Sequence, residues 1–363
     1  MLAHILWFIL GLAALTLGAE AMVRGASRLA LTLGISPLVV GLTIVAFGTS
    51  APEMAVSVNA ALAGSGDLAI GNVVGSNIAN VLLILGLSAL IVPLSVNTQI
   101  IRQEVPIMIG ASLLLVVLAL DGNISRSEGA LFLALVVAYT GFLVIQSRRA
   151  GKAADDEFAG EMPDVRSRWD AHWSVQGLLV IGGLALLVIG AGWLVESAVA
   201  VARSFGVSDL VIGLTVVAVG TSMPEIATSL VAAFRGERDI AVGNVVGSNI
   251  FNIFACLGAA GLVADGGIAV SEAARNFDLW VMLAVALACL PVMITGREIA
   301  RWEGGVFVGY YLAYTTYLVL GATQHDSLPA FSGIMLGFVL PLTVITLIVS
   351  IIRANGKARR TAL

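Results

Sequence analysis

The stretch LTIVAFGTSAPEMAVSV (residues 42–58) decides how this chain is read. It is apolar enough to cross a bilayer, yet it carries Pro52 and Glu53 at its centre. Proline lacks an N–H and crowds the carbonyl four residues back, here that of Gly48, so it breaks a helix. A charged side chain at the middle of a membrane helix costs roughly 2.5–3.5 kcal/mol even on the lenient insertion scale. The same pairing returns as LTVVAVGTSMPEIATSL (214–230), which makes a chance placement untenable.

Aligned without a gap at a constant offset of 172, residues 34–80 and 206–252 are identical at 30 of 47 positions. A shared taste for Leu, Val and Ala would explain the apolar matches. It does not explain matched Thr, Ser, Pro, Glu and Asn, as in GNVVGSNIAN against GNVVGSNIFN. The chain is a duplicated unit.

Composition sets the environment. Of 363 residues, 59% are hydrophobic and 12% charged, with a mean hydropathy of +1.00. Soluble domains carry about 25% charged residues, so an all-α polytopic membrane protein is expected. With a spanning helix needing roughly 20 apolar residues, eleven spans fall near 4–23, 37–63, 68–92, 104–121, 128–146, 174–200, 209–234, 239–263, 277–295, 303–321 and 329–352. The first lacks a preceding Lys or Arg and reads as a membrane helix, not a signal peptide. The only long polar connection is 146–173.

Eleven spans place 16 of the 19 Lys and Arg on one side, leaving Arg126, Arg203 and Arg275 on the other. The positive-inside rule then puts the N-terminus outside and the C-terminus in the cytoplasm of a cell membrane. Each repeat holds five spans, an odd number, so the second copy starts on the opposite face. The expected organisation is one inverted repeat at 1–146, a cytoplasmic linker at 147–173, a second repeat at 174–321, and an extra helix with a basic tail at 322–363. Inverted repeats with interrupted helices near the midplane are a secondary-transporter architecture.

The repeated motif has a consistent chemistry. Thr49 and Glu53 are one turn apart on a helix face, as are Ser76 and Asn80; Thr221, Glu225, Ser248 and Asn252 repeat them. Ser50 and Ser222 add hydroxyls. All are hard oxygen donors, suited to Ca²⁺ and by the same reasoning to Na⁺. Two ionised glutamates balance one divalent or two monovalent ions. Asn72, Asn77, Asn244 and Asn249 are expected to brace broken backbone, Asp67 and Asp239 to cap helices, and the GxxxG pairs at Gly71 and Gly243 to allow close packing. Cys256 and Cys289 read as packing residues. No GxxxxGK[ST], HExxH or GxSxG motif is present, so neither an enzyme nor a cofactor is expected. Nothing points to nucleic acid or to an obligate protein partner; the expected partners are the lipid bilayer and the transported ions.

These paired motifs, GTSAPE with GNVVGSNIAN and GTSMPE with GNVVGSNIFN, resemble the sodium/calcium exchanger family of the cation/calcium antiporters, in its compact prokaryotic form. The resemblance implies two inverted five-helix repeats, with helices two, three, seven and eight around the ions, and electrogenic exchange of Na⁺ for Ca²⁺. It implies that Glu53 and Glu225 are the central carboxylates, and that Thr49 and Thr221 contribute backbone carbonyls. Ser50, Ser222, Ser76 and Ser248, with the carbonyls of Ala46 and Ala218, would complete the flanking Na⁺ sites. Asn80 would line the middle. Asn252 stands where potassium-dependent relatives have Asp, which argues against K⁺ co-transport. Two other readings stay open: a Ca²⁺/H⁺ antiporter using the same glutamates, and a cation channel.

Overall fold

The computed structural model describes residues 2–155, 172–206, 209–212, 215–216, 218–346 and 348. The greater part of the 147–173 linker and all of the basic tail lie outside these residues. The first repeat contains α1 (Leu2–Leu33), the bent pair α2 (Pro37–Thr49) and α3 (Ala51–Leu62), α4 (Gly66–Ile91), α5 (Ile100–Asp121) and α6 (Arg126–Asp155). The second contains α7 (Trp173–Ser204), then α8 (Asp209–Ile212), α9 (Ala218–Thr221) and α10 (Met223–Phe234). It continues with α11 (Arg238–Val263), α12 (Ala274–Ile294) and α13 (Arg301–Ala322), and α14 (Leu328–Thr346) follows. Every expected span therefore has a helical counterpart, the seventh described in pieces.

The duplication is carried into the backbone without slippage. Helix α3 and helix α10 start and stop at positions 172 apart, and the π-helical turns Asn80–Leu85 and Asn252–Leu257 within α4 and α11 do the same. A π turn carries one more residue than an α turn, a distortion frequent at functional sites. Both π turns begin on an asparagine of the motif.

Two short strand pairs bear on the inversion. β1 (Leu94–Ser95) lies after three spans and pairs antiparallel with β4 (Glu298–Ile299), which lies after nine. β2 (Asn123–Ile124), after four spans, pairs with β3 (Ile268–Ala269), after eight. Each pair joins loops that the span count puts on one side of the membrane, and each joins one repeat to the other. The two pairs exchange under a pseudo-two-fold axis.

Close glycine contacts hold the repeats together. Helix α1 runs antiparallel to α7, with Gly11, Gly18 and Gly25, spaced by seven, against Gly190, Gly183 and Gln176. A Cβ on Gly18 would sit 2.8 Å from the Gly183 carbonyl oxygen, and one on Gly183 would sit 2.7 Å from that of Gly18. Without water to drive association in the bilayer, such small residues let backbones approach and gain dispersion contacts. The α4–α13 crossing uses Gly86 against Gly304, and its symmetric partner, α11–α6, uses Gly258 against Gly129.

The apolar centre of α11 lies entirely inside the bundle, although Leu262 and Val263 at its end are exposed, whereas no part of α14 is buried. That last helix leans on α13, where the Tyr310 hydroxyl meets the Val339 carbonyl and Thr343.

Two sequence expectations need correction. Asp67 and Asp239 sit in the first helical turn, one place inside Gly66 and Arg238, so they face the helix dipole and do not cap it. Gly243 and Gly247 pack on the α2 backbone at Leu38 and Leu42, as the GxxxG spacing predicts. The polar stretch after residue 146 begins as helix, because α6 continues through Asp155.

Candidate cation site

The motif residues meet at the centre of the bundle. The bend of 44° between α2 and α3 falls at Ser50, which adopts φ −80°, ψ 3°. Ser222 makes the same break with φ −86°, ψ 9°. Pro52 and Pro224 stand in the first turn of the helices that follow, where a missing N–H leaves no helical bond unmade. The prolines thus start second helix segments, and Glu53 and Glu225 stand in those first turns, fully buried.

Contacts around the carboxylates cross from one repeat to the other. The Ser222 hydroxyl donates to Glu53 Oε1 at 3.3 Å, and the Ser50 hydroxyl donates to Glu225 Oε1 at 3.4 Å. Ser222 also lies 3.3 Å from the Ser76 hydroxyl. Thr49 is 3.5 Å from the Ser248 hydroxyl and donates to Asn244 Oδ1 at 3.1 Å. The Ala46 carbonyl accepts from the Thr49 hydroxyl at 3.3 Å and from the Ser50 N–H at 3.0 Å. Thr221 is half-buried at the end of α9, and Ala218 begins that helix.

Beside them, four asparagines form a hydrogen-bonded chain. Asn77 donates to the Asn249 carbonyl at 3.2 Å, and Asn249 donates to the Asn77 carbonyl at 3.3 Å. Asn80 donates to Asn249 Oδ1 at 2.9 Å, and Asn252 donates to Asn77 Oδ1 at 3.1 Å. Asn72 braces the break, donating to the Glu53 carbonyl and the Ser57 hydroxyl, both at 3.0 Å. Asn244 does so through Ser229 at 2.9 Å.

Among the described residues, three buried oxygens at this centre have no partner: Glu53 Oε2, Glu225 Oε2 and Asn80 Oδ1. Burial without a partner is expensive for a neutral polar group and much more so for a carboxylate. The protein can satisfy a buried carboxylate when structure alone is at stake. Glu104 is equally buried, yet its oxygens accept from Gln99 at 2.9 Å, Gln103 at 2.7 Å and Tyr139 at 2.8 Å. Asp278, its counterpart in the second repeat, accepts from Tyr314 at 2.8 Å. Each motif glutamate instead keeps one carboxylate oxygen without a partner among the described residues.

Some neighbours escaped the sequence reading. The Cys256 thiol lies 3.8 Å from the Ser50 carbonyl and 3.7 Å from Asn252 Oδ1; its spacing of four from Asn252 was the available signal. Met282 and Met108 offer their sulfurs to Asn77 and Asn249 at 3.7 and 3.4 Å. Both methionines lie beyond the aligned 47 residues, where repeat identity is too low to mark them.

The sequence model described as sodium/calcium exchanger protein matches residues 3–146 and 175–320. The chain belongs to the sodium/calcium exchanger family. CaxA of Alkalimonas amylolytica is 42% identical over 328 residues, covering 87% of this chain and 100% of that one. The sodium/calcium exchanger MaX1 of Methanosarcina acetivorans is 35% identical over 345 residues, covering 87% and 98%. Among solved structures, the sodium-calcium exchanger NCX_Mj matches with a TM-score of 0.72 at 30% identity, over 86% of this chain and 97% of that one. This family member is a multi-pass antiporter, not an enzyme.

Proposed function

We propose that this exchanger couples Na⁺ entry to Ca²⁺ export from the cytoplasm by alternating access, with its N-terminus outside and its C-terminus in the cytoplasm of a cell membrane. The reading rests on one observation: two fully buried carboxylates, one per repeat, each hydrogen-bonded through Oε1 and, among the described residues, unpartnered at Oε2. Ca²⁺ takes six to eight oxygens, and two carboxylates supply its charge. Hydroxyls of Thr49, Ser50, Ser76, Ser222 and Ser248, the amide oxygens of Asn80 and Asn252, and backbone carbonyls from Ala46, Ala218, Thr49 and Thr221 would supply the rest. Na⁺ would use the flanking hydroxyl and carbonyl sets and compete for the same carboxylates.

Competition is what makes an exchanger. If either cargo neutralises the glutamates, an empty site is the costly state for the bundle to close around. Net transport of one ion then requires return of the other. The names of MaX1 and NCX_Mj support Na⁺ as the counter-ion in relatives.

The test is ⁴⁵Ca²⁺ uptake by proteoliposomes loaded with Na⁺ and diluted into Na⁺-free buffer, with a parallel pH-gradient arm. Uptake that needs the Na⁺ gradient and responds to membrane voltage is expected. Uptake driven by the proton gradient alone would move the function to Ca²⁺/H⁺ exchange.

A further inference from the structure

Two methionines outside the repeated motif complete the asparagine network. Met108 in α5 and Met282 in α12 stand four residues beyond the counterparts Glu104 and Asp278, and both are buried. A thioether sulfur accepts a hydrogen bond and never donates one. Asn77 directs its amide N–H groups at the Asn249 carbonyl and at Met282 Sδ, the latter at 3.7 Å. Asn249 directs its own at the Asn77 carbonyl and at Met108 Sδ, the latter at 3.4 Å.

These contacts oppose an amide flip. Turned over, each amide would set its oxygen against a backbone carbonyl and a thioether, both acceptors, and its NH₂ against the NH₂ of Asn252 or Asn80. Orientation therefore passes along the network. Asn249 Oδ1 takes the NH₂ of Asn80 at 2.9 Å, and Asn77 Oδ1 takes that of Asn252 at 3.1 Å. Asn80 and Asn252 are thus left with their oxygens, not their NH₂ groups, outside the network. A cation binds an amide oxygen and is repelled by an amide NH₂.

The two ends then differ. Asn252 Oδ1 has the Cys256 thiol 3.7 Å away. The equivalent of Cys256 in the first repeat is Ile84, which has no proton to donate, and Asn80 Oδ1 is buried without a partner among the described residues. We propose that Met108 and Met282 are positioning residues, which fix the amide orientations so that Asn80 above all offers its oxygen to Ca²⁺. The inference rests on reading this centre as a Ca²⁺ site, whichever ion returns.

The test is equilibrium ⁴⁵Ca²⁺ binding to the full-length protein in detergent, beside the KM and maximal rate of ⁴⁵Ca²⁺ uptake in proteoliposomes and the melting temperature without Ca²⁺. Leu for Met conserves volume and removes the acceptor. Met108→Leu loosens Asn249 and with it Asn80. It should weaken Ca²⁺ binding and raise KM about two- to tenfold, the worth of one hydrogen bond, with the rate at saturating Ca²⁺ unchanged. Met282→Leu acts on Asn252 and should weaken binding less. Met293→Leu is the control: it is as buried on α12, with no amide against its sulfur among the described residues, and should bind as wild type does. A lower melting temperature with unchanged Ca²⁺ affinity in Met108→Leu and Met282→Leu would reduce both methionines to packing and overturn the proposal. So would an affinity loss in Met293→Leu equal to that in Met108→Leu. Should Met108→Leu not fold, unchanged or weakened affinity in Met282→Leu decides. A wild type that binds no Ca²⁺ would overturn the cation reading itself, and this inference with it.

Discussion

Replacing Asn77 by alanine removes a donor from the Asn249 carbonyl and the acceptor of the Asn252 amide, at 3.2 and 3.1 Å. Both groups are buried, so water cannot substitute. A lost hydrogen bond is worth about 1 kcal/mol, and a buried donor left unsatisfied costs about 1–3 kcal/mol. The variant should therefore be destabilised by about 2–4 kcal/mol. Pseudo-symmetry predicts nearly the same cost for Asn249→Ala, which takes a donor from the Asn77 carbonyl and the acceptor of Asn80. The pairs then differ in a way that only this network produces. Asn77 and Asn252 share a side-chain bond, so their double-alanine variant should be non-additive by about 0.5–3 kcal/mol. Asn77 and Asn249 each bond the other's backbone and share no side-chain bond, so their effects should be closer to additive. Reversible unfolding in mixed micelles measures all of these. Coupling for Asn77/Asn249 as large as for Asn77/Asn252, or a single-variant cost well under about 1 kcal/mol, would refute the network.

Three further outcomes are expected. Glu53→Gln and Glu225→Gln should each abolish Ca²⁺ uptake in proteoliposomes without altering helicity. A unit charge about 4 Å from a divalent ion contributes about 8 kcal/mol at an effective dielectric constant of about 20, and full flux in either variant would refute the paired-carboxylate site. Thr228→Val, which installs the residue found at the equivalent Val56, should stabilise the protein by about 1 kcal/mol, because the buried Thr228 hydroxyl has no partner; a lower melting temperature would contradict that. Gly183→Ala places a Cβ 2.7 Å from the Gly18 carbonyl oxygen and must push α1 from α7, at about 1–3 kcal/mol by the usual cost of overpacking. An unchanged melting temperature would show that the two helices are further apart.

Much was legible in the residues alone. Apolar run lengths determined the spans, and the odd number of spans per repeat determined the inversion, because each crossing reverses direction. Recurrence of Thr, Ser, Pro and Glu at an offset of 172 determined which residues are equivalent. Equivalence is not proximity. That Ser50 faces Glu225 and Ser222 faces Glu53, that Thr49 meets Asn244, and that Cys256 lies against the Ser50 carbonyl were decided by tertiary structure. So was the contrast between Glu104, surrounded by donors, and the two motif glutamates, each with an oxygen left open. An inverted pair of repeats brings a residue next to the counterpart of some other residue, and which one depends on where the broken helices cross. Those crossings are set by glycine contacts between distant segments, such as Gly41 on Ile240 and Gly247 on Leu42. No local pattern encodes them, because in a bilayer close packing of side chains, not amphipathic periodicity, chooses which helix faces meet.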